Sequence, residues 1–353
     1  MKRRSFLKGA AWAAVGAAVA PELLSCTPKA AGNSRKPDFR AARDFHYGLD
    51  GRFKLLQFTD SHYIVGDPRS ERALRCVEEM LSLEKPDLVI HTGDIVFGKP
   101  DIPSALEVLQ PLAHSGIPWA VALGNHDSQF GATREEMFAA IRELPGCVNL
   151  PPKEGVYGAS NDVITLSAAG GPDRAFYLFD SMDAVVLKGE EEIHCYDYIR
   201  YSQIGWYRAL SDHLGHVPAL AFFHIPLREI EEAVQHGRLL GGTNGEPPCP
   251  SRLNSGLLAQ FREMGDVQAI VTGHDHDCDY VLDFGQMYYI YGRFSGCDTT
   301  YNHLGPSGAR VFRFTAGSSS FETWVRLAGG AVQQPLTLGD RGHNEQIVKQ
   351  LND

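Results

Sequence analysis

The chain has 353 residues, with 33 Lys+Arg against 43 Asp+Glu, a formal net charge of -10 and 14 histidines. Apolar residues make up 43% and charged residues 22%, which excludes a disordered chain, a collagen-like chain and a disulfide mini-protein. The acidic balance argues against a nucleic-acid scaffold binder that works by broad phosphate neutralisation, although a local metal site can overrule the global charge for a small ligand.

The opening residues Lys2, Arg3, Arg4, Ser5, Phe6, Leu7 and Lys8 resemble a bacterial twin-arginine export signal. Apolar residues 10–20 follow, too few for a membrane span of about 20 residues. Leu23, Leu24, Ser25 and Cys26 resemble a lipobox, which predicts lipidation at Cys26; a plain signal cut near Cys26 without lipid is the alternative. Residues 1–26 thus read as an address and 27–50 as a tether. Residues 51–329 read as one folded domain and 330–353 as a peripheral tail. The expected location is the periplasm, soluble or anchored to the membrane by lipid on Cys26. Beyond Cys26 there are Cys76, Cys147, Cys195, Cys249, Cys278 and Cys297, none in a CxxC spacing; disulfides and free thiols both remain open.

Residues 53–59 have a strand pattern and end at Asp60. Residues 70–83 have helical spacing, with Ala73, Leu74, Val77, Met80 and Leu81 on one face and Pro86 as a stop. A strand over 87–92 ends in Gly93-Asp94, and a helix is predicted over 102–114. A strand over 118–123 ends in Gly124-Asn125-His126-Asp127, and a helix over 134–144 follows. Strand-like runs cover 163–166, 175–179 and 184–187, then a helix 203–213 and a strand 219–223 ending at His224. Residues 237–256 read as a long loop. A helix over 257–264 precedes a strand over 267–272 that ends in Gly273-His274-Asp275-His276. Strands near 287–291, 309–314 and 322–327 close the domain. This alternation predicts an α/β fold with a mostly parallel sheet and functional loops at the carboxyl ends of its strands.

Five polar clusters sit at those strand ends: Asp60-x-His62, Gly93-Asp94, Gly124-Asn125-His126-Asp127, His224 and Gly273-His274-x-His276. Each alone is a commonplace; their joint placement after strands is the signal. Carboxylates, imidazoles and an amide without thiolate suit Mn, Fe or Zn. Two metals about 3.5–4 Å apart need one bridging carboxylate and several terminal ligands, and the inventory supplies both.

In that order the clusters resemble the calcineurin-like metallophosphoesterase superfamily, over about 53–327. Residues 222–227, 254–256 and 273–277 are most similar to its branch related to small purple acid phosphatases. The resemblance implies the metallo-dependent phosphatase fold, a four-layer αββα sandwich with two central mixed sheets flanked by helices. It also implies that Asp60, His62 and His276 hold one metal, that Asn125, His224 and His274 hold the second, and that Asp94 bridges them. His126 is expected to contact the substrate phosphate or leaving group, oriented by Asp127. Asp275 and Asp277 are candidate acceptors for the ligand imidazoles, and Asn254 and Arg293 are candidate substrate contacts. Purple acid phosphatases place a ferric-binding tyrosine three positions after the bridging Asp; Phe97 stands there, so a ferric-tyrosinate centre is not expected and a divalent pair is.

The implied activity is hydrolysis of small phosphate esters by attack of a metal-bridging hydroxide, monoesters being favoured. Phosphodiester or nucleotide pyrophosphate hydrolysis on the same fold is an alternative. So is a non-catalytic lipoprotein that binds a phosphorylated ligand.

Overall fold

The computed structural model describes residues 43–339. The export address, Cys26, most of the 27–50 stretch and residues 340–353 lie outside the described residues.

The amino-terminal half of the described chain holds β1 (Arg43–His46), β2 (Arg52–Phe58), α1 (Glu71–Glu84), β3 (Leu88–His91), α2 (Asp101–Val108), α3 (Gln110–Ser115), β4 (Trp119–Val121) and α4 (Arg134–Arg142). Next come β5 (Asp162–Ala168), β6 (Gly171–Leu178), β7 (Ala184–Leu187), β8 (Ile193–Tyr196), α5 (Tyr201–Leu214), β9 (Ala219–Phe222), α6 (Ile230–His236) and β10 (Arg238–Gly241). The remainder is α7 (Leu257–Met264), β11 (Val267–Thr272), β12 (Val281–Phe284), β13 (Met287–Tyr291), β14 (Gly308–Thr315), β15 (Phe321–Leu327) and β16 (Val332–Leu338).

The strands form a sheet ordered β16-β15-β14-β2-β3-β4, a larger one ordered β1-β5-β6-β9-β11-β13-β12-β10, and a separate ribbon of β7 and β8. Both large sheets are mixed: β2, β3 and β4 run parallel, as do β6, β9, β11 and β13, while β14, β15 and β16 add antiparallel pairs. The expectation of one mostly parallel sheet is corrected accordingly, and the two-sheet architecture implied by the resemblance is the one found.

Period-two geometry explains the layering. In β2, Phe53 and Leu55 enter the core between the sheets, while Leu56 and Phe58 enter the core under α1, α2 and α4. In β9, Leu220 and Phe222 face the first sheet, while Ala219 and Ala221 face α5 and α7. Strands covered on both faces therefore read as continuous apolar runs rather than alternating ones. Each of these buried Leu and Phe side chains contributes about 1.5–3 kcal/mol by leaving water, so three stacked cores fix the four layers.

Several predicted elements shift. The helix expected over 102–114 divides into α2 and α3, because Pro111 has no N–H to return to the preceding turn. The stretch 27–50, expected as a tether, supplies β1, and the 330–353 tail supplies β16. The 237–256 loop contains β10. These are edge strands with largely exposed side chains, so no apolar alternation marked them. All six described cysteines are free thiols. No helix among the described residues is long and apolar enough to cross a membrane.

Candidate metal centre

The five clusters fall at the carboxyl ends of strands drawn from both large sheets. Asp60 and His62 follow β2, Asp94 follows β3, Asn125 and His126 follow β4, His224 follows β9, and His274 and His276 follow β11. The sites therefore assemble where the two sheets meet, not along five neighbouring strands of one sheet.

The chain turns abruptly to deliver these side chains. Asp60, His62, Asp94 and His274 all take left-handed backbone angles, with φ of 57°, 49°, 52° and 81°. That conformation costs a non-glycine residue about 1–2 kcal/mol. It is held by backbone bonds from Asp60 N to Gly93 O and from His62 N to Asp94 O, each 3.0 Å. Gly273 is required by proximity: a Cβ there would overlap Thr59 Oγ1 and come within 2.6 Å of Asp60 Oδ2.

Asp60 Oδ2 accepts from Thr59 Oγ1 at 2.7 Å and from His274 N at 3.1 Å. This leaves Oδ1 facing His62 Nε2 and His276 Nε2, each at 3.6 Å. The two imidazole nitrogens lie only 2.9 Å apart. His276 Nδ1 donates to Tyr301 O at 3.0 Å, so its Nε2 presents a lone pair. Asp94 Oδ1 accepts from His126 N at 2.8 Å, while Oδ2 faces His224 Nε2 at 3.0 Å, His62 Nε2 at 3.7 Å and His126 Nε2 at 3.8 Å. His224 Nδ1 donates to Thr92 O at 2.8 Å, which turns a second lone pair at a carboxylate oxygen. His274 Nδ1 completes this group, 3.3 Å from His224 Nε2.

Acceptors facing acceptors in a buried space need a cation between them. Asn125 Oδ1 is also buried without a hydrogen-bond partner, as the amide oxygen of a metal ligand would be. Among the described residues, three groups have ligand atoms within 4.8 Å of one another: Asp60, His62 and His276; Asp94, His224 and His274; and His62, Asp94 and His126. The residues present fit divalent metal ions.

Charge states agree. Burial opposes ionisation of Asp94 and Asp60, yet the His224 imidazole and its neighbours hold both carboxyls well below the usual range. Burial pushes His62 down to about 4 and His274 down to about 3, which keeps their lone pairs available. Burial also opposes charge on His224, but Asp94 and Asp60 raise it to about 9, so without an ion a proton occupies the space a cation would take.

Three sequence expectations fail here. Asp127 does not orient His126; its carboxylate accepts backbone N–H groups from Gly124, Asp94 and Ile95 at 2.8, 3.1 and 2.7 Å, tying the β3 and β4 loops together. Asp275 and Asp277 do not hold the ligand imidazoles. Asp275 accepts from Tyr291 Oη and Cys249 N, Asp277 from His303, and the imidazoles are held instead by the carbonyls of Thr92 and Tyr301. Arg293 is buried and donates to Asp279 Oδ2 at 2.8 Å and to the carbonyls of Leu304 and Pro306, so it packs the fold rather than meeting a substrate. Asn254 is exposed, but its amide donates to Glu229 Oε1 and its oxygen accepts from Gly256 N at the entry to α7.

Sequence reasoning missed the role of Arg134 and the packing of aromatic rings, Phe97 included, around the metal residues. Arg134, buried, donates to the carbonyls of Leu123 and Gly124 at 2.8 Å and pairs with Asp180, fixing the loop that carries Asn125. Phe97 packs edge-on against His62 and His126, with centroids at 4.9 and 4.8 Å, and Tyr196 lies 4.3 Å from the His274 ring. Nothing local in the sequence marked these, because their partners are distant along the chain.

The calcineurin-like phosphoesterase family matches residues 53–278. An Arabidopsis thaliana relative named "Probable inactive purple acid phosphatase 14" is 28% identical over 350 residues, covering 86% of this chain and 84% of its own. A second from the same organism, "Probable inactive purple acid phosphatase 28", is 30% identical over 289 residues, covering 69% and 70%. Among solved structures, a dimetal phosphatase from Danio rerio superposes with a TM-score of 0.55 at 15% identity, over 82% of this chain and 99% of that one. At that identity the likeness concerns the fold.

Proposed function

The chain belongs to the calcineurin-like phosphoesterase family and is a metal-dependent phosphoester hydrolase; from that premise we propose that it is an exported phosphomonoesterase using two divalent ions. The observation that carries the two-ion reading is the buried set of facing acceptors centred on Asp94 Oδ2. Asp60, His62 and His276 would hold one ion, Asn125, His224 and His274 the other, and Asp94 both. Bound there, the ions supply Lewis acidity and a nucleophile from water at neutral pH.

The chain's own residues supply the rest. Asp94 and Asp60, held ionised, offset the charge of the ions. His126 stands at the rim with 27% of its side chain exposed, where its charged ring would offer the Nε2 proton to the departing oxygen. Phe97 offers no phenolate, so the iron-loaded protein is expected to lack a visible charge-transfer band; such a band would reveal another phenolate ligand. The donor set suits Mn, Fe or Zn.

The phosphatase names of the two plant relatives support a monoester substrate. Those same names carry the word "inactive", which favours a second reading, binding of a phosphorylated ligand without turnover. Against it, all seven ligand positions here carry side chains able to bind a metal. Metal analysis with hydrolysis of p-nitrophenyl phosphate and of its bis-ester separates the readings. Faster monoester cleavage is expected; faster diester cleavage makes the protein a phosphodiesterase, and a full metal load with neither ester cleaved leaves the binding reading. Arg3 and Arg4 support export. Replacing both with Lys should trap the precursor in the cytoplasm, and unimpaired export would exclude a twin-arginine route. Cys26→Ala should release the mature protein from the membrane fraction.

A further inference from the structure

His126 is held by a chain of side chains that reaches it from another element. Its Nδ1 lies 2.7 Å from Gln129 Oε1. Gln129 Nε2 in turn donates to Asp183 Oδ1 at 2.7 Å. An ionised carboxylate only accepts, so Asp183 fixes which end of the Gln129 amide is which. The amide oxygen must then face His126, and the proton on that side of the ring must sit on Nδ1. Nε2 is left pointing toward Asp94 Oδ2, at 3.8 Å, on the side of the metal residues.

Both holding residues are themselves anchored. Gln129 closes the tight turn after His126, its N–H bonded to His126 O at 3.3 Å. Asp183 stands at the base of the β7–β8 ribbon, where its carbonyl accepts from Asp197 N at 3.2 Å. Phe130 stacks on the His126 ring at 6.2 Å and 18°, and Phe97 meets it edge-on. These contacts restrict the plane of the ring but do not choose its tautomer; the Gln129 amide, at hydrogen-bond distance from Nδ1 where Asp94 Oδ2 stands 3.8 Å from Nε2, does.

We infer that Gln129 and Asp183 are positioning residues that fix the orientation and tautomer of His126 for proton transfer to the leaving group. The inference rests on reading His126 as the proton donor of a phosphoester hydrolase. In the step it serves, the water oxygen forms a P–O bond as the ester P–O bond breaks. In the charged ring a second proton stands on Nε2; it passes to the departing oxygen, leaving the neutral ring with its proton on Nδ1, and the proton lost by the attacking water restores the charged ring. The role belongs to Asp127 in the sequence reading, but Asp127 is occupied by backbone N–H groups of the β3 and β4 loops. A neutral amide backed by a carboxylate takes its place.

The test uses leaving groups of different basicity. Phenolate needs a proton to depart far more than p-nitrophenolate does. In Gln129→Ala, turnover of phenyl phosphate should fall by roughly 10–100-fold, and that of p-nitrophenyl phosphate by a smaller factor. Gln129→Glu and Asp183→Asn should each impair phenyl phosphate turnover. The double variant should recover it, because a carboxylate at 129 accepts from both His126 Nδ1–H and an amide at 183. Equal losses on the two esters, or no recovery in the double variant, would overturn the inference. A second readout does not depend on turnover: in the zinc-loaded protein, nitrogen-15 NMR should show the proton of the neutral His126 ring on Nδ1 and its redistribution in Gln129→Ala. A proton that stays on Nδ1 in that variant also overturns it. Wild-type protein that cleaves neither ester, yet shows this tautomer change, would defeat the hydrolase reading while the positioning role stands.

Discussion

Asp94 Oδ2 and His224 Nε2 face each other across 3.0 Å, and the distance states a competition between a proton and a cation. Burial opposes charge on His224, but the two carboxylates lift it to about 9, above the ordinary imidazole value. Below that pH an ion must displace the proton; above it the site is already free. Metal affinity should therefore rise with pH and level off near 9, with about one proton, that of His224, released at pH 7 when both sites fill. Isothermal titration in buffers of different ionisation enthalpy measures this, and a release near zero would place the proton elsewhere. Asp94→Asn removes the shared carboxylate charge and should lower turnover roughly a thousandfold, about 4 kcal/mol, together with metal content. His126→Ala should lower turnover by about 10²–10⁴-fold while leaving metal content intact. If both quantities fall in that variant, His126 is a ligand. The residues of the site were legible because each follows a strand; their partners were not. Thr92, Tyr301 and Gln129 lie 132, 25 and 3 residues from the rings they hold, and two of the three act on the ligand rings through backbone carbonyls, which carry no residue signature.

Among elements, the loops after β3 and β4 behave as one unit. Asp127 collects N–H groups from both, and Arg134 at the start of α4 returns two donors to Leu123 and Gly124. Arg134 and Asp180 form a buried pair, and removing one partner strands the other charge. Arg134→Met should therefore destabilise the fold by about 3–5 kcal/mol, measured by denaturant unfolding, and a loss below about 1 kcal/mol would show that water reaches Asp180. Gly273→Ala tests the approach of β11 to β2: the added methyl displaces Asp60, so metal content should fall more than stability does. The predicted strands at 53–59, 219–223 and 267–272 are found because they are buried on both faces; β1, β10 and β16 escaped notice because edge strands expose most of their side chains. The split of α2 from α3 was written in Pro111, whose missing N–H the apolar periodicity of 102–114 concealed.

Across the described domain, ligands from both sheets converge, so ion binding ties the sheets together. An ion present at 100–1,000 times its Kd adds about 2.7–4.1 kcal/mol to stability. For a domain of about 300 residues each kcal/mol moves Tm by about 1.5–2 °C, so chelation should lower Tm by about 4–8 °C, read by scanning calorimetry. No shift would mean that the sheets hold their register without ions. The acidic balance of the whole chain, -10, does not oppose a phosphorylated ligand, because ions held beside Asp60 and Asp94 would set the local charge. The sequence by itself determined the ligand types, their order and the strands that present them, since side-chain chemistry and period-two burial are local properties. Only the tertiary structure decided that the ligands come from two sheets, that Asp127 and Arg293 brace the fold, and that Gln129 and Asp183 reach His126. Those outcomes depend on which distant groups satisfy each buried donor and acceptor, a question that hydrogen-bond pairing settles in three dimensions and that spacing along the chain does not encode.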